Sequence, residues 1–163
     1  MRTPANLILA NPDVTANLAV SLGHLIRAGD TILLEGSLGA GKSHFARALI
    51  QHRLSELGVY EDVPSPTFTL VQTYDVGEFE IWHADLYRLS SPDEVLELGL
   101  DDAFEEAVTL IEWPDRLGEL VPKNPCRIQL STEMNHRRAV ISWPDPRFEA
   151  WMSAFETVAK RDD

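Results

Sequence analysis

The stretch Gly36-Ser37-Leu38-Gly39-Ala40-Gly41-Lys42-Ser43 constrains this chain more than any other feature. It fits G-x-x-x-x-G-K-[ST] at every position. An apolar run, Thr31-Ile32-Leu33-Leu34, leads into it and reads as a buried strand. A helical pattern follows from about Lys42, with Phe45, Leu49 and Leu54 inward, and stops near Gly58. Glycines let backbone N–H groups turn inward around phosphate oxygens, and the helix N-terminus adds partial positive charge. In such a loop Gly39, Ala40 and Gly41 line the phosphates. Lys42 reaches the β- and γ-phosphates, and the Ser43 hydroxyl ligates magnesium. A nucleoside triphosphate with Mg2+ is therefore the expected ligand.

The rest of the chain is read around that loop. Asn11-Pro12 is an N-cap followed by proline at the first helical position, and Val14, Leu18, Leu22, Leu25 and Ile26 carry the helix to about Arg27. Phe68 to Tyr74 and Phe79 to Trp82 read as an antiparallel hairpin turning at Gly77. Ser91 is the expected N-cap of a further helix, with Glu94 three residues on. Val108 to Ile111 is a second buried strand, and Arg127 to Leu130 and Ala139 to Trp143 are late strands. Phe148, Trp151, Met152, Phe155 and Val158 share one face of a C-terminal helix. A chain of 163 residues carrying these elements is expected to form one domain over residues 1–163. The class is α/β: a three-layer P-loop NTPase fold with a mixed, parallel plus antiparallel sheet.

A phosphate loop needs a carboxylate for its metal, usually at the end of a buried strand. Two acids qualify. Val108 to Ile111 ends in Glu112, and Phe79 to His83 leads to Asp85. Ser65-Pro66-Thr67 lies in a loop between the two helical and hairpin segments, where nucleotide switches place a threonine that senses the γ-phosphate. His83 reads as a packed or capping histidine and Trp113 as an anchor of the strand exit.

Charge narrows the partners. The net charge is −12, and ten acids between Ser91 and Leu120 face only Arg116. Such a surface repels phosphate backbones, so direct nucleic-acid binding is not expected. A solvated acidic face or a docking face for a basic protein both fit it. Cys126 is the single cysteine, which excludes an internal disulfide and any Cys-rich zinc pattern. The apolar stretch Leu7 to Ala10 is too short for a secretory signal, and no run reaches the roughly 18 apolar residues of a membrane span. A cytoplasmic location and no membrane contact are expected.

Four segments together carry a resemblance. Gly36 to Ser43, Ser65 to Leu70, His83 to Arg88 and Leu110 to Trp113 resemble the bacterial ATPase family called TsaE (YjeE) in order, spacing and total chain length. The His83-x-Asp85-x-Tyr87-Arg88 and Ile111-Glu112-Trp113 elements are far more specific than the glycine loop. The resemblance implies an ATPase role in making threonylcarbamoyladenosine, a modified base beside the anticodon of many tRNAs. It implies work on the TsaB–TsaD protein pair, with TsaD transferring the group that TsaC prepares, and contact with tRNA only indirectly. By match, Lys42 and Ser43 bind phosphates and magnesium. Glu112 is the metal-side glutamate, Asp85 the essential aspartate supporting the metal shell or the attacking water, and Thr67 part of the switch-like loop. Trp113 follows the glutamate, and Thr15 lies near the adenine. Ser37 replaces the family's usual aspartate and Ser43 its usual threonine, which keeps the hydroxyl. Arg137 and Arg138 are equal candidates to approach the nucleotide.

Two other classes compete. A small-metabolite or nucleoside kinase would use the same loop but usually adds lid arginines, and the region after Asp85 is acidic instead. A nucleotide-switched binding module resembling a small GTPase would carry Asn-Lys-x-Asp for guanine, a sequence absent here.

Overall fold

The computed structural model describes the backbone of residues 4–161 and the side chains of residues 4–155. Its strands are β1 (Ala5–Leu9), β2 (Thr31–Glu35), β3 (Val71–Asp75), β4 (Glu80–Asp85), β5 (Val108–Glu112), β6 (Cys126–Thr132) and β7 (Arg137–Ser142). The helices are α1 (Pro12–Gly23), α2 (Lys42–Ser55), α3 (Asp93–Glu97), α4 (Leu100–Glu106) and α5 (Arg147–Arg161), with a 3-10 segment over Pro114–Leu120. One seven-stranded sheet runs in the order β1-β7-β6-β2-β5-β4-β3. The central strands β4, β5, β2 and β6 are mutually parallel, and antiparallel pairs close both edges. The mixed α/β sheet expected from the sequence is the one observed.

Side-chain alternation along the central strands builds the three layers. Ile32 and Leu34 of β2 and Val108 and Leu110 of β5 pack into one core with residues of α1, α2 and α5. Leu33 and Ile111, the odd members of the same strands, enter a second core with Val95, Leu100 and Leu117 on the other face. Every residue of β5 is buried, as a central parallel strand covered on both faces requires. No helix among the described residues is long and apolar enough to cross a membrane.

Several boundaries differ from the sequence reading. Helix α1 stops at Gly23, because His24 and Leu25 already point their N–H groups at Ser21 and Leu22 in tightening turns. Phe68 lies outside β3. The Leu70 N–H closes a turn on the Pro66 carbonyl at 2.7 Å, so the chain extends only from Val71 and Phe68 is left exposed. Ser91 does not cap α3 with its side chain. Glu94 reaches one residue further back, to the Ser90 hydroxyl at 2.5 Å, and Ser91 contributes only its carbonyl to Glu94 N–H. Strand β1 uses Leu7 to Leu9, read from sequence only as a short apolar stretch, and pairs antiparallel with β7. In α5, Phe148, Trp151, Met152 and Phe155 are buried, and Val158 lies outside the described side chains.

Candidate nucleotide and metal site

Three neighbouring parallel strands deliver the site. Register places Leu34 of β2 and Asp85 of β4 on either side of Glu112 at the end of β5. The loop after β2, Asp85 and Glu112 therefore meet at the carboxyl edge of the sheet, where open α/β sheets bind ligands.

The loop's glycines are there for space and backbone angle. A Cβ at Gly36 would collide with the Leu130 carbonyl oxygen, which is rigid backbone. Gly41 holds φ 108° as the residue before α2, a left-handed conformation that turns the chain into the helix. A Cβ there would sit 3.2 Å from the Arg137 guanidinium, which donates to the Gly39 carbonyl at 3.1 Å. Arg138 points away, bonded to Glu133 and Asn6. Of the two arginines, Arg137 is the one on the phosphate loop.

Lys42 is 5% exposed, and its ammonium donates to the Gly36 carbonyl and, at 3.3 Å, to that of Ser37. It also stands 3.6 Å above the Trp113 ring, whose other neighbour is Tyr87 at 4.9 Å. Burial pushes the Lys42 ammonium below its ordinary range, and the negative charges of Glu112, Asp85 and Asp115 oppose that push. Trp113 itself holds φ 60°, the left-handed turn by which the chain leaves β5.

Hydroxyls and carboxylates at this edge form one continuous hydrogen-bonded chain. The Ser43 hydroxyl lies 3.0 and 3.1 Å from the two oxygens of Glu112 and 3.4 Å from the Ser65 hydroxyl. Ser65 contacts Thr67 at 2.9 Å, and Thr67 donates to Asp85 at 3.3 Å. Asp85 accepts the Tyr87 N–H at 3.0 Å with its other oxygen. Behind Glu112, His83 Nε2 lies 2.7 Å from Oε2, with both side chains buried. A carboxylate only accepts, so His83 carries a proton on Nε2. Its Nδ1 finds no partner among the described residues, which suits a bare lone pair better than a buried N–H.

Two buried carboxylates with three hydroxyls make an all-oxygen donor set, the kind a hard divalent cation such as Mg2+ selects. Ser43 and Glu112 fit it directly, and Asp85 reaches it through Thr67 and Ser65. Beside the loop a cleft of about 600 Å3 opens between Glu35, Gly36 and Ser37 on one side and Trp113 and Asp115 on the other.

The structure thus brings Gly39, Ala40, Gly41, Lys42, Ser43, Thr67, Asp85, Glu112 and Trp113 to one place. Thr15 is 1% exposed with its hydroxyl unpartnered among the described residues. Its helix is tied to the start of α2 by the His44 ring against the Pro12 carbonyl at 2.9 Å, but Thr15 makes no bond to the loop. His83, which from sequence reads as a packed or capping histidine, instead bonds Glu112. The alternation along β4 was the available signal, since it puts His83 and Asp85 on the same face. The roles of Ser65 and Tyr87 in the chain of bonds carried no such signal.

Comparison with known proteins supplies a family. The family described as "Threonylcarbamoyl adenosine biosynthesis protein TsaE" matches residues 9–140. A Rickettsia felis protein named tRNA threonylcarbamoyladenosine biosynthesis protein TsaE is 41% identical, covering 78% of this chain and 72% of its own. The Bacillus subtilis protein of that name is 34% identical, covering 80% of this chain and 79% of its own. The fold is similar to the crystal structure of Bacillus subtilis YdiB, with a TM-score of 0.74, 25% identity, and 100% and 99% of the two chains covered.

Proposed function

Because the chain belongs to the TsaE family of tRNA threonylcarbamoyladenosine biosynthesis, we propose that it is the ATP-hydrolysing component of that machinery. It binds ATP and Mg2+ and acts on the TsaB–TsaD pair, reaching tRNA only through those partners. The observation that carries the reading is the bonded chain from Glu112 through Ser43, Ser65 and Thr67 to Asp85, which includes the last residue of the glycine loop itself.

In this reading the N–H groups at the start of α2 and the Lys42 ammonium hold the phosphates. Lys42 exchanges the Gly36 and Ser37 carbonyls for phosphate oxygens. Magnesium, if bound, would supply positive charge that offsets the negative charge of the phosphates. Ser43 and Glu112 hold that ion, and His83 fixes the Glu112 carboxylate against rotation. Asp85 and Thr67 orient the attacking water. Arg137 neutralises phosphate charge from outside the loop. The Ser65 to Thr69 loop orders around the γ-phosphate and relaxes on its release, which is the signal passed to the partner. With one buried cysteine and no need for oxidation, the cytoplasm suits this role.

Steady-state ATP turnover, with and without the TsaB–TsaD pair, tests the reading. Slow turnover alone and stimulation by the pair are expected, together with weak tRNA binding in isolation. Tight tRNA binding and no stimulation would favour an independent nucleic-acid enzyme.

A further inference from the structure

A second cluster of metal-binding groups lies at the far end of α2. His24 caps the C-terminus of α1, its N–H pointing at Ser21 and Leu22 carbonyls. His52 and Glu56 lie one turn apart at the end of α2. One donor atom from each of the three falls within 4.8 Å of the others, and among the described residues no other three His, Cys, Asp or Glu side chains do so.

We propose that His24, His52 and Glu56 form a binding site for a borderline divalent transition ion, zinc in the first instance, independent of the nucleotide site. Two imidazoles and one carboxylate form the three-ligand set that zinc takes when water fills the fourth position. Magnesium prefers oxygen donors and is a poor competitor here. The spacing is close to what coordination needs. His52 Nε2 and Glu56 Oε1 are 3.6 Å apart. Two ligands at about 2.0–2.1 Å in a tetrahedral shell are about 3.4 Å apart. The His24 and His52 rings pack edge to face at 4.9 Å, which holds them side by side before any ion arrives.

The scaffold is fixed as well. Arg53 donates to the Gly23 carbonyl at 3.1 Å, locking the end of α1 onto α2. Gly23 packs closely on Leu49, since a Cβ there would stand 3.3 Å from that side chain. The carboxyl end of α2 carries partial negative charge, which favours a cation. One opposing charge is present: the Arg53 guanidinium, 4.0 Å from Glu56, competes for that carboxylate. His52 follows Lys42 by ten positions along α2, about 15 Å at 1.5 Å per residue, so an ion here cannot touch the phosphates. It instead ties the ends of α1 and α2 together.

The experiment titrates zinc into untagged protein by calorimetry, with excess Mg2+ present to fill oxygen sites, and repeats it on His24→Gln, His52→Gln and Glu56→Gln. The native protein is expected to bind one zinc ion saturably and to melt at higher temperature when zinc is bound. Each variant is expected to lose affinity by about tenfold or more, because each removes a direct ligand. His24 and Glu56 are exposed, so the metal-free melting temperatures of their variants should match the native one and show that both variants fold. Cobalt(II) in place of zinc should give a visible absorption band that the His24→Gln, His52→Gln double variant lacks. Absence of saturable zinc binding, or binding unchanged in that double variant, overturns the proposal.

Discussion

Two clusters of charge in this protein use the same residue types to opposite ends. At the foot of α5, Arg147 spends all five of its N–H donors: one on Leu25, two on Asp30 and two on Asp145. Its guanidinium also lies 4.5 Å over the Trp143 ring. Every charge there has its complement inside the protein. At the carboxyl edge of the sheet, Glu112 and Asp85 are bonded mainly to hydroxyls and a histidine, and the one lysine is turned onto backbone carbonyls. A clamp saturates its groups. A ligand site would keep charge and hydroxyl oxygens available, and that is the contrast between the two clusters.

Lys42→Ala should break the comparison hardest on the site's side. Affinity for a non-hydrolysable ATP analogue should fall roughly a hundredfold or more, since a charge-assisted contact inside a preorganised loop is lost. Calorimetry on a mutant shown to be folded by circular dichroism checks it, and unchanged affinity would falsify the site assignment. Next come the two acids. Glu112→Gln should lower turnover by about a hundredfold and raise the Mg2+ concentration needed, because Glu112 meets Ser43 directly. Asp85→Asn should depress turnover while shifting the Mg2+ requirement less, because two hydroxyls stand between it and Ser43. Equal Mg2+ shifts in the two variants would erase the distinction between them.

The site was more legible in the sequence than its surroundings were. The glycine loop, Glu112 and Asp85 each sit where an apolar run stops, and strand ends are what apolar runs mark. Parallel pairing then brings those ends together without further information. The Arg147 clamp was invisible, because it joins Arg147 and Asp145 to Asp30 and Leu25, more than a hundred positions away, through side chains whose identities are common on any surface. Strand β1 was missed for a related reason. It is an edge strand, short and half-exposed, so its pattern is weak and only its pairing with β7 defines it. The choice between Arg137 and Arg138 needed the pleat of β7, which turns adjacent residues to opposite faces.

Arg147→Ala should sharpen the contrast from the other side. Removing the guanidinium leaves Asp30 and Asp145, both less than one-third exposed, without their shared partner. The expected cost is about 2 kcal/mol of stability, since several charge-assisted bonds are lost and two acids gain water only in part. The melting temperature should drop by roughly 6 °C. Affinity for the ATP analogue should not change. A variant that melts normally, or that loses nucleotide, would show that the two clusters are not separable.

The smallest effect concerns acid. Hydrogen bonds from Arg147 hold the Asp145 carboxyl down to about 2, against an ordinary value of 3.8. A carboxyl depressed in the folded state binds fewer protons than it does unfolded, so its stabilising contribution is complete above pH 3.8 and fades as pH falls towards 2. Asp145 is partly exposed, and solvent screening reduces the contribution to about 1 kcal/mol. In Asp145→Asn this contribution is absent at every pH. Urea midpoints measured between pH 5 and pH 2.5 should therefore fall less steeply in the variant than in the native protein, with the two curves converging at the acid end. Parallel curves would mean that Asp145 binds protons equally in both states and that Asp30 alone anchors Arg147.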